Sequence, residues 1–198
     1  FLFNDDGETP NSQIALFEYD SGPLVIFELR NFPSEKGPKT VDQKVKGDRG
    51  ESGLPRPAGT PGDTRGFSAH KGHLFNFVKA VRSRNRDDQR ADVLEGHLST
   101  ALVHMANISY RLGTPHSAEE VREAIQDRGC EAVDTFARFQ EHLSVNGVDL
   151  SKTQTVLGPW LEMDSKSEQF VGGSELVTRA NQLLTRQYRE PFVIPGTV

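Results

Sequence analysis

The sequence predicts a mixed α+β chain, and two observations carry that reading. Two strand-like runs stand on either side of a Gly-containing turn near the start, Ser12 to Tyr19 and Leu24 to Leu29. The stretch Phe67 to Gly113 then reads as two amphipathic helices joined by a short charged turn. In the first helix Leu74, Phe77, Val78 and Val81 fall on one helical face. In the second, Leu94, Leu98, Ala101, Met105, Ile108 and Leu112 do so over about five turns. Asp87 or Asp88 suits the start of that helix, and Gly113 with Pro115 ends it.

The remaining elements follow from local chemistry. Ile14 and Leu16 point to one side of the first strand, and Ala15, Phe17 and Tyr19 to the other. Leu24-Val25-Ile26-Phe27 is apolar on both faces and needs cover on both. With helices on one sheet face, either Val25 and Phe27 or Leu24 and Ile26 would stay open to another subunit. Residues 39–66 form a Gly/Pro-rich loop, with a short strand allowed at Val41 to Val45. Its glycines make neither a collagen repeat nor a G-x-G-x-x-G phosphate loop. Ser117-Ala-Glu-Glu120 is a capping box, and its helix stops at Gly129. A further helix spans Glu131 to Val145, with Val133, Phe136, Ala137, Gln140 and Leu143 on its apolar side. Val156 to Met163 reads as a strand around Trp160, and Gln169-Phe170-Val171 pairs back after a turn at Asp164. Glu175 to Thr185 is the last helix, and residues 186–198 are an extended tail.

Composition narrows the function. A net charge of −5 speaks against a nucleic-acid footprint, and the local arginines at 82, 84, 86 and 90 are interrupted by Asp87 and Asp88. No apolar run approaches the length of a membrane span, so no membrane partner is expected. One cysteine, Cys130, allows no internal disulfide and reads as structural rather than nucleophilic. Phe1 opens on an apolar run without an initiating Met, which reads as the start of a fragment. A cytoplasmic location is expected; export is the alternative, since a leader would lie upstream.

Few residues suggest chemistry by themselves. His97 and His104 lie seven residues apart, within roughly 20° of each other around the helix. They sit at the border of the apolar stripe, with Asn107 and Arg111 continuing that side. Such a border lines either a cleft or the rim of a core. About 10.5 Å of helix rise separates the two histidines, too far for a shared zinc. His70 and His73, at i and i+3, have chelating spacing, which leaves a metal-dependent hydrolase as a remote alternative. No G-x-S-x-G elbow and no H-E-x-x-H occurs.

Five segments together make a pattern: Gly7-Glu-Thr-Pro-Asn11, Leu24 to Arg30, Asn76 to Arg84, Glu95 to Gly113, and Leu184 to Phe192. In that order they resemble the C-terminal domain of Gfo/Idh/MocA-type oxidoreductases, the glucose–fructose oxidoreductase and inositol dehydrogenase family, in a branch common in planctomycete bacteria. The resemblance implies that residues 1–198 are one substrate-side and oligomerisation domain, an open, mostly antiparallel sheet with helices packed on one face. It implies a parent enzyme that moves hydride between NAD or NADP and a sugar, polyol or related hydroxy compound. The N-terminal Rossmann domain that holds the cofactor is absent from this chain. So are the catalytic residues, since Glu35-Lys36-Gly37-Pro38 only approximates the family's E-K-P lysine and lies elsewhere. The chain alone is expected neither to catalyse nor to bind NAD, NADP or a metal. Its expected partners are the Rossmann domain, a small-molecule substrate in a cleft faced by His97, His104, Asn107 and Arg111, and further copies of itself at Leu24, Val25, Ile26 and Phe27. A non-catalytic binding or oligomerisation module is the competing class.

Overall fold

The computed structural model describes residues 8–30, 44–47, 50–53, 68–186 and 188–193. The described residues form a mixed α+β chain of helices and small antiparallel sheets. Strands β1 (Ser12–Phe17), β2 (Val25–Arg30), β3 (Lys44–Gly47) and β4 (Gly50–Gly53) make one sheet in chain order. β3 is antiparallel to β2, with Phe27 opposite Val45, and to β4, with Lys46 opposite Glu51. The stretch 39–66 is therefore not only loop. A second hairpin sits inside it, hidden in the sequence because Gly50-Glu-Ser-Gly53 has no strand-forming side chains. Its pairing is carried by backbone bonds instead.

Two compact units emerge: one of Phe1–Ala15, Leu29–Asp42 and Met105–Val198, the other of Leu16–Glu28 and Gln43–His104. In the second unit, helix α1 (Ser68–Ser83) is followed by a single 3-10 turn at Arg86–Asp88. Helix α2 (Val93–Leu112) then begins in this unit and ends in the other. Its cap is neither Asp87 nor Asp88. Asp92 takes that role, its Oδ1 accepting from the Leu94 N–H at 2.9 Å, because the helix starts at Val93, just after Asp92 and several residues past the earlier acids. In β2, Ile26 and Glu28 are buried, while Val25 and Phe27 on the alternate face are half-buried, as is Leu24.

Among its described residues the first unit holds an apolar cluster at the end of α2 and buried apolar residues on two further helices. Ile108 of α2 is buried with Phe170 and Ala180, and Met105, Leu112, Leu161, Met163, Val177, Leu183 and Leu184 pack round them. Strands β5 (Thr114–His116) and β6 (Thr155–Leu157) pair antiparallel just past α2. Glycine is required where α2 meets this ribbon. A Cβ on Gly113 would lie 2.6 Å from the Leu157 carbonyl oxygen, and one on Gly158 would lie 2.8 Å from the Ser109 carbonyl. Gly158-Pro159 also ends the strand expected to run through Trp160; the Trp160 ring instead lies under the Arg128 guanidinium at 4.2 Å.

Helices α3 (Ala118–Ile125) and α4 (Cys130–Val145) carry those further buried residues. The capping box is present: the Ser117 N–H donates to Glu120 Oε2 at 2.7 Å and the Glu120 N–H to Ser117 Oγ at 3.3 Å. On α4 the buried side is Ala132, Thr135, Phe136, Phe139 and Leu143, with Ala137 exposed and Val133 and Gln140 half-buried. The helix is thus rotated from the expected face by most of one residue's turn, because Phe139 outweighs Val133 and Ala137 in buried area.

Strands β7 (Met163–Asp164) and β8 (Gln169–Phe170) pair as expected, and helix α5 (Glu175–Gln182) closes over them. Asn181 of α5 clamps the edge of β8. Its Oδ1 accepts from the Phe170 N–H at 2.8 Å and its Nδ2 donates to the Phe170 carbonyl at 2.9 Å, as a neighbouring strand would. Asn181→Ala is expected to destabilise the protein by about 2 kcal/mol in denaturant melts, because it strands a part-buried donor and acceptor together. After α4, Asp149 accepts from the Ser151 Oγ at 2.7 Å, the Lys152 Nζ at 3.0 Å and the Ser151 N–H at 3.0 Å, which lowers its carboxyl to about 2. The charged form is the one stabilised, so this turn keeps its full contribution above the ordinary value of 3.8 and loses it as pH falls towards about 2. A carboxyl NMR titration with a normal midpoint at Asp149 would contradict this.

Candidate functional site

The polar edge of α2 was the strongest candidate from sequence, and its residues have different surroundings. In the second unit His97 and His104 are both exposed. In the first unit Arg111 meets a carboxylate: its Nη2 lies 3.2 Å from Glu8 Oε2. Both partners are well exposed, so the pair adds little stability. The contact brings the segment at Glu8 beside the end of α2 and leaves the guanidinium partly exposed. One turn earlier on the same helix, Asn107 is half-buried, and its Oδ1 is shut away from solvent without a hydrogen-bond partner among the described residues. A buried amide oxygen with no donor is an unstable arrangement unless something else supplies the donor.

Sequence reasoning overlooked Glu8. It sits far from α2 in the chain, and only the tertiary structure joins it to Arg111. It also overlooked a polar clamp in the second unit. Asn76 Nδ2 donates to the Asp88 carbonyl at 2.5 Å, and the Arg90 N–H donates to Asn76 Oδ1 at 3.1 Å. Lys79 Nζ sits 2.5 Å from Asp88 Oδ1. The Lys79 ammonium and the Ser83 hydroxyl hold the Asp88 carboxyl below the usual carboxylate range. Arg86 pairs with Asp92 at 2.6 Å, and hydrogen bonds from that guanidinium and the Leu94 N–H lower Asp92 likewise. Phe75, Asn76, Lys79, Asp87, Asp88 and Arg90 line a groove there. Asn76, Lys79 and Asp88 already satisfy one another, which marks the clamp as structural support rather than reacting groups.

Other candidates do not gather into a site. His70 and His73 fall on α1, and their side chains lie outside what is described. So does Lys36, of the E-K-P near-match. Cys130 is exposed at the start of α4, its Sγ 3.4 Å from Glu131 Oε2. Among the described residues no three His, Cys, Asp or Glu side chains are grouped to hold a metal ion, and no helix is long and apolar enough to cross a membrane.

Comparison with family models, with curated proteins and with solved structures found no match to this chain. Asn107→Leu is expected to raise stability by about 1 kcal/mol, since it removes an orphaned amide oxygen at nearly constant volume. A loss of stability on thermal melting would mean that the amide is already satisfied.

Proposed function

We propose that this chain is the substrate-side and assembly domain of an NAD(P)-dependent oxidoreductase acting on a sugar, polyol or related hydroxy compound. In this reading the sheet is the open, mostly antiparallel one of the Gfo/Idh/MocA-type domain, with helices on one face. Cofactor and catalytic residues belong to the Rossmann part of the parent protein. One observation carries the reading. Segments that share no local sequence signal, yet belong to one pattern, meet in space. The Glu8–Arg111 pair joins the segment at Gly7–Asn11 to the end of α2, and Leu184 packs on the Ile108 cluster beside Leu112.

The chemistry supports the same direction. Arg111 offers N–H donors and Glu8 an acceptor, both exposed, a pair suited to hydroxyl groups in acceptor and donor roles. None of these groups accepts a hydride, and in this reading they bind and orient. The competing reading, a non-catalytic binding or oligomerisation module, is favoured by the exposed apolar helix faces in the second unit. Cytoplasmic location goes with either reading.

The full-length protein, assayed for reduction of NAD and NADP over a panel of polyols and sugars, decides between them. Activity with at least one substrate is expected. His97→Gln and His104→Gln are each expected to lower kcat/KM about tenfold, some 1.4 kcal/mol of transition-state binding, without changing the melting temperature. Normal kinetics in both variants would take the histidines out of the cleft, and no turnover with any nicotinamide would leave the binding module.

A further inference from the structure

The groove at the clamp of the second unit holds two charges and a ring that the clamp does not use. Its volume is about 470 Å³, inside the ~300–1,000 Å³ range of small-molecule sites, and Phe75, Asn76, Lys79, Asp87, Asp88 and Arg90 line it. Asn76, Lys79 and Asp88 already bond one another, so the Lys79 and Asp88 charges cancel. The same bonds fix the backbone under the rest of the lining. The Arg90 N–H is tied to Asn76 Oδ1, and the Asp87 N–H to Asn85 Oδ1 at 3.1 Å. The side chains of these two residues stay outside the network. Among the described residues neither the Arg90 guanidinium nor the Asp87 carboxylate has a hydrogen-bond or ion-pair partner, although both line one groove. Phe75 adds an apolar surface. It lies four residues before Lys79, on the polar side of α1 and away from the helix's apolar stripe, and it is 73% exposed.

We infer that this groove binds a free α-amino acid with a large apolar side chain. Charge complementarity selects that class. The Arg90 guanidinium is a planar fork of N–H donors, which a carboxylate matches. The Asp87 carboxylate only accepts, which an ammonium matches. An α-amino acid carries both ions on one carbon, so a single small molecule answers the two free charges together. Its side chain then has the Phe75 ring to cover, and an aromatic or branched aliphatic group does so best. A plain carboxylate leaves Asp87 facing a like charge, and a plain amine does the same at Arg90. A sugar or polyol answers neither charge. The groove makes and breaks no bond; it captures its ligand. It belongs to the second unit, whereas Arg111 and Asn107 belong to the first, and it does not rest on the hydride-transfer reading.

Ligand-observed NMR titration of the full-length protein with L-phenylalanine and L-leucine tests this. At least one is expected to bind with a Kd of about 1 mM or tighter, a strength open to a ligand of that size. Two analogues that each lack one charge, phenylpropanoate and phenethylamine, should bind at least about fivefold more weakly than L-phenylalanine. Arg90→Gln, Asp87→Asn and Phe75→Ala should each raise the Kd about fivefold. All three side chains are exposed, so circular dichroism melts of the variants should match the wild type. No binding of either amino acid up to about 10 mM overturns the inference. Binding that is indifferent to both Arg90→Gln and Asp87→Asn also overturns it, by placing the ligand elsewhere. Phenylpropanoate bound as tightly as L-phenylalanine overturns it too, and makes the groove a site for simple carboxylates. Binding is the readout throughout, so failure here is distinct from absence of dehydrogenase activity.

Discussion

Burial of Ile108 against Phe170 and Ala180 is the contact on which the first unit depends. It recruits the end of α2, the β7–β8 ribbon and α5 into one cluster, three elements too short or too polar to persist separately. Around it the backbones close in. Gly113 and Gly158 let the end of α2 and the residues after β6 approach to a distance that any side chain would forbid. The Asn181 amide then completes the edge of β8 where no further strand is available. Ser109 adds one more tie, its hydroxyl donating to the Pro159 carbonyl at 2.9 Å. These hydrogen bonds are individually modest, and their main effect is to avoid stranded backbone groups beside the apolar cluster.

The second unit is ordered by a different force. α1 is fixed by its polar residues, through Asn76, Lys79 and the 3-10 turn, and its apolar residues face outward. An exposed ion pair and a few hydrogen bonds supply little net stability. Apolar burial supplies far more, so a helix held in this manner has its largest available contribution still unused. The same stripe that builds a core around Ile108 stays exposed at Leu94 and Leu98.

The candidate site draws on both a position and a deficiency. Arg111 meets Glu8, and Asn107 lacks a donor among the described residues for an oxygen that water does not reach. Neither is remarkable as a residue type on a helix. What distinguishes them is that a guanidinium bonded to a distant carboxylate stands one turn from an unsatisfied amide oxygen.

The sequence by itself determined the helices from their apolar period, the capping box at Ser117 and Glu120, the β1–β2 strands and the return at Phe170, because each is encoded within a few neighbouring residues. It also marked Asn107 and Arg111 as a shared edge of α2. Tertiary structure decided which parts of each stripe find cover. Periodicity states that a face is apolar, but whether Leu98 is covered as Ile108 is depends on what lies opposite. It decided the rotation of α4, where the large Phe139 ring overrode the tidier pattern. It decided the β3–β4 hairpin, whose glycine-rich backbone pairs without side-chain signals. And it brought Glu8 to Arg111, a contact between residues about a hundred positions apart that no local pattern encodes, since long-range pairing follows from chain closure rather than from neighbouring residues.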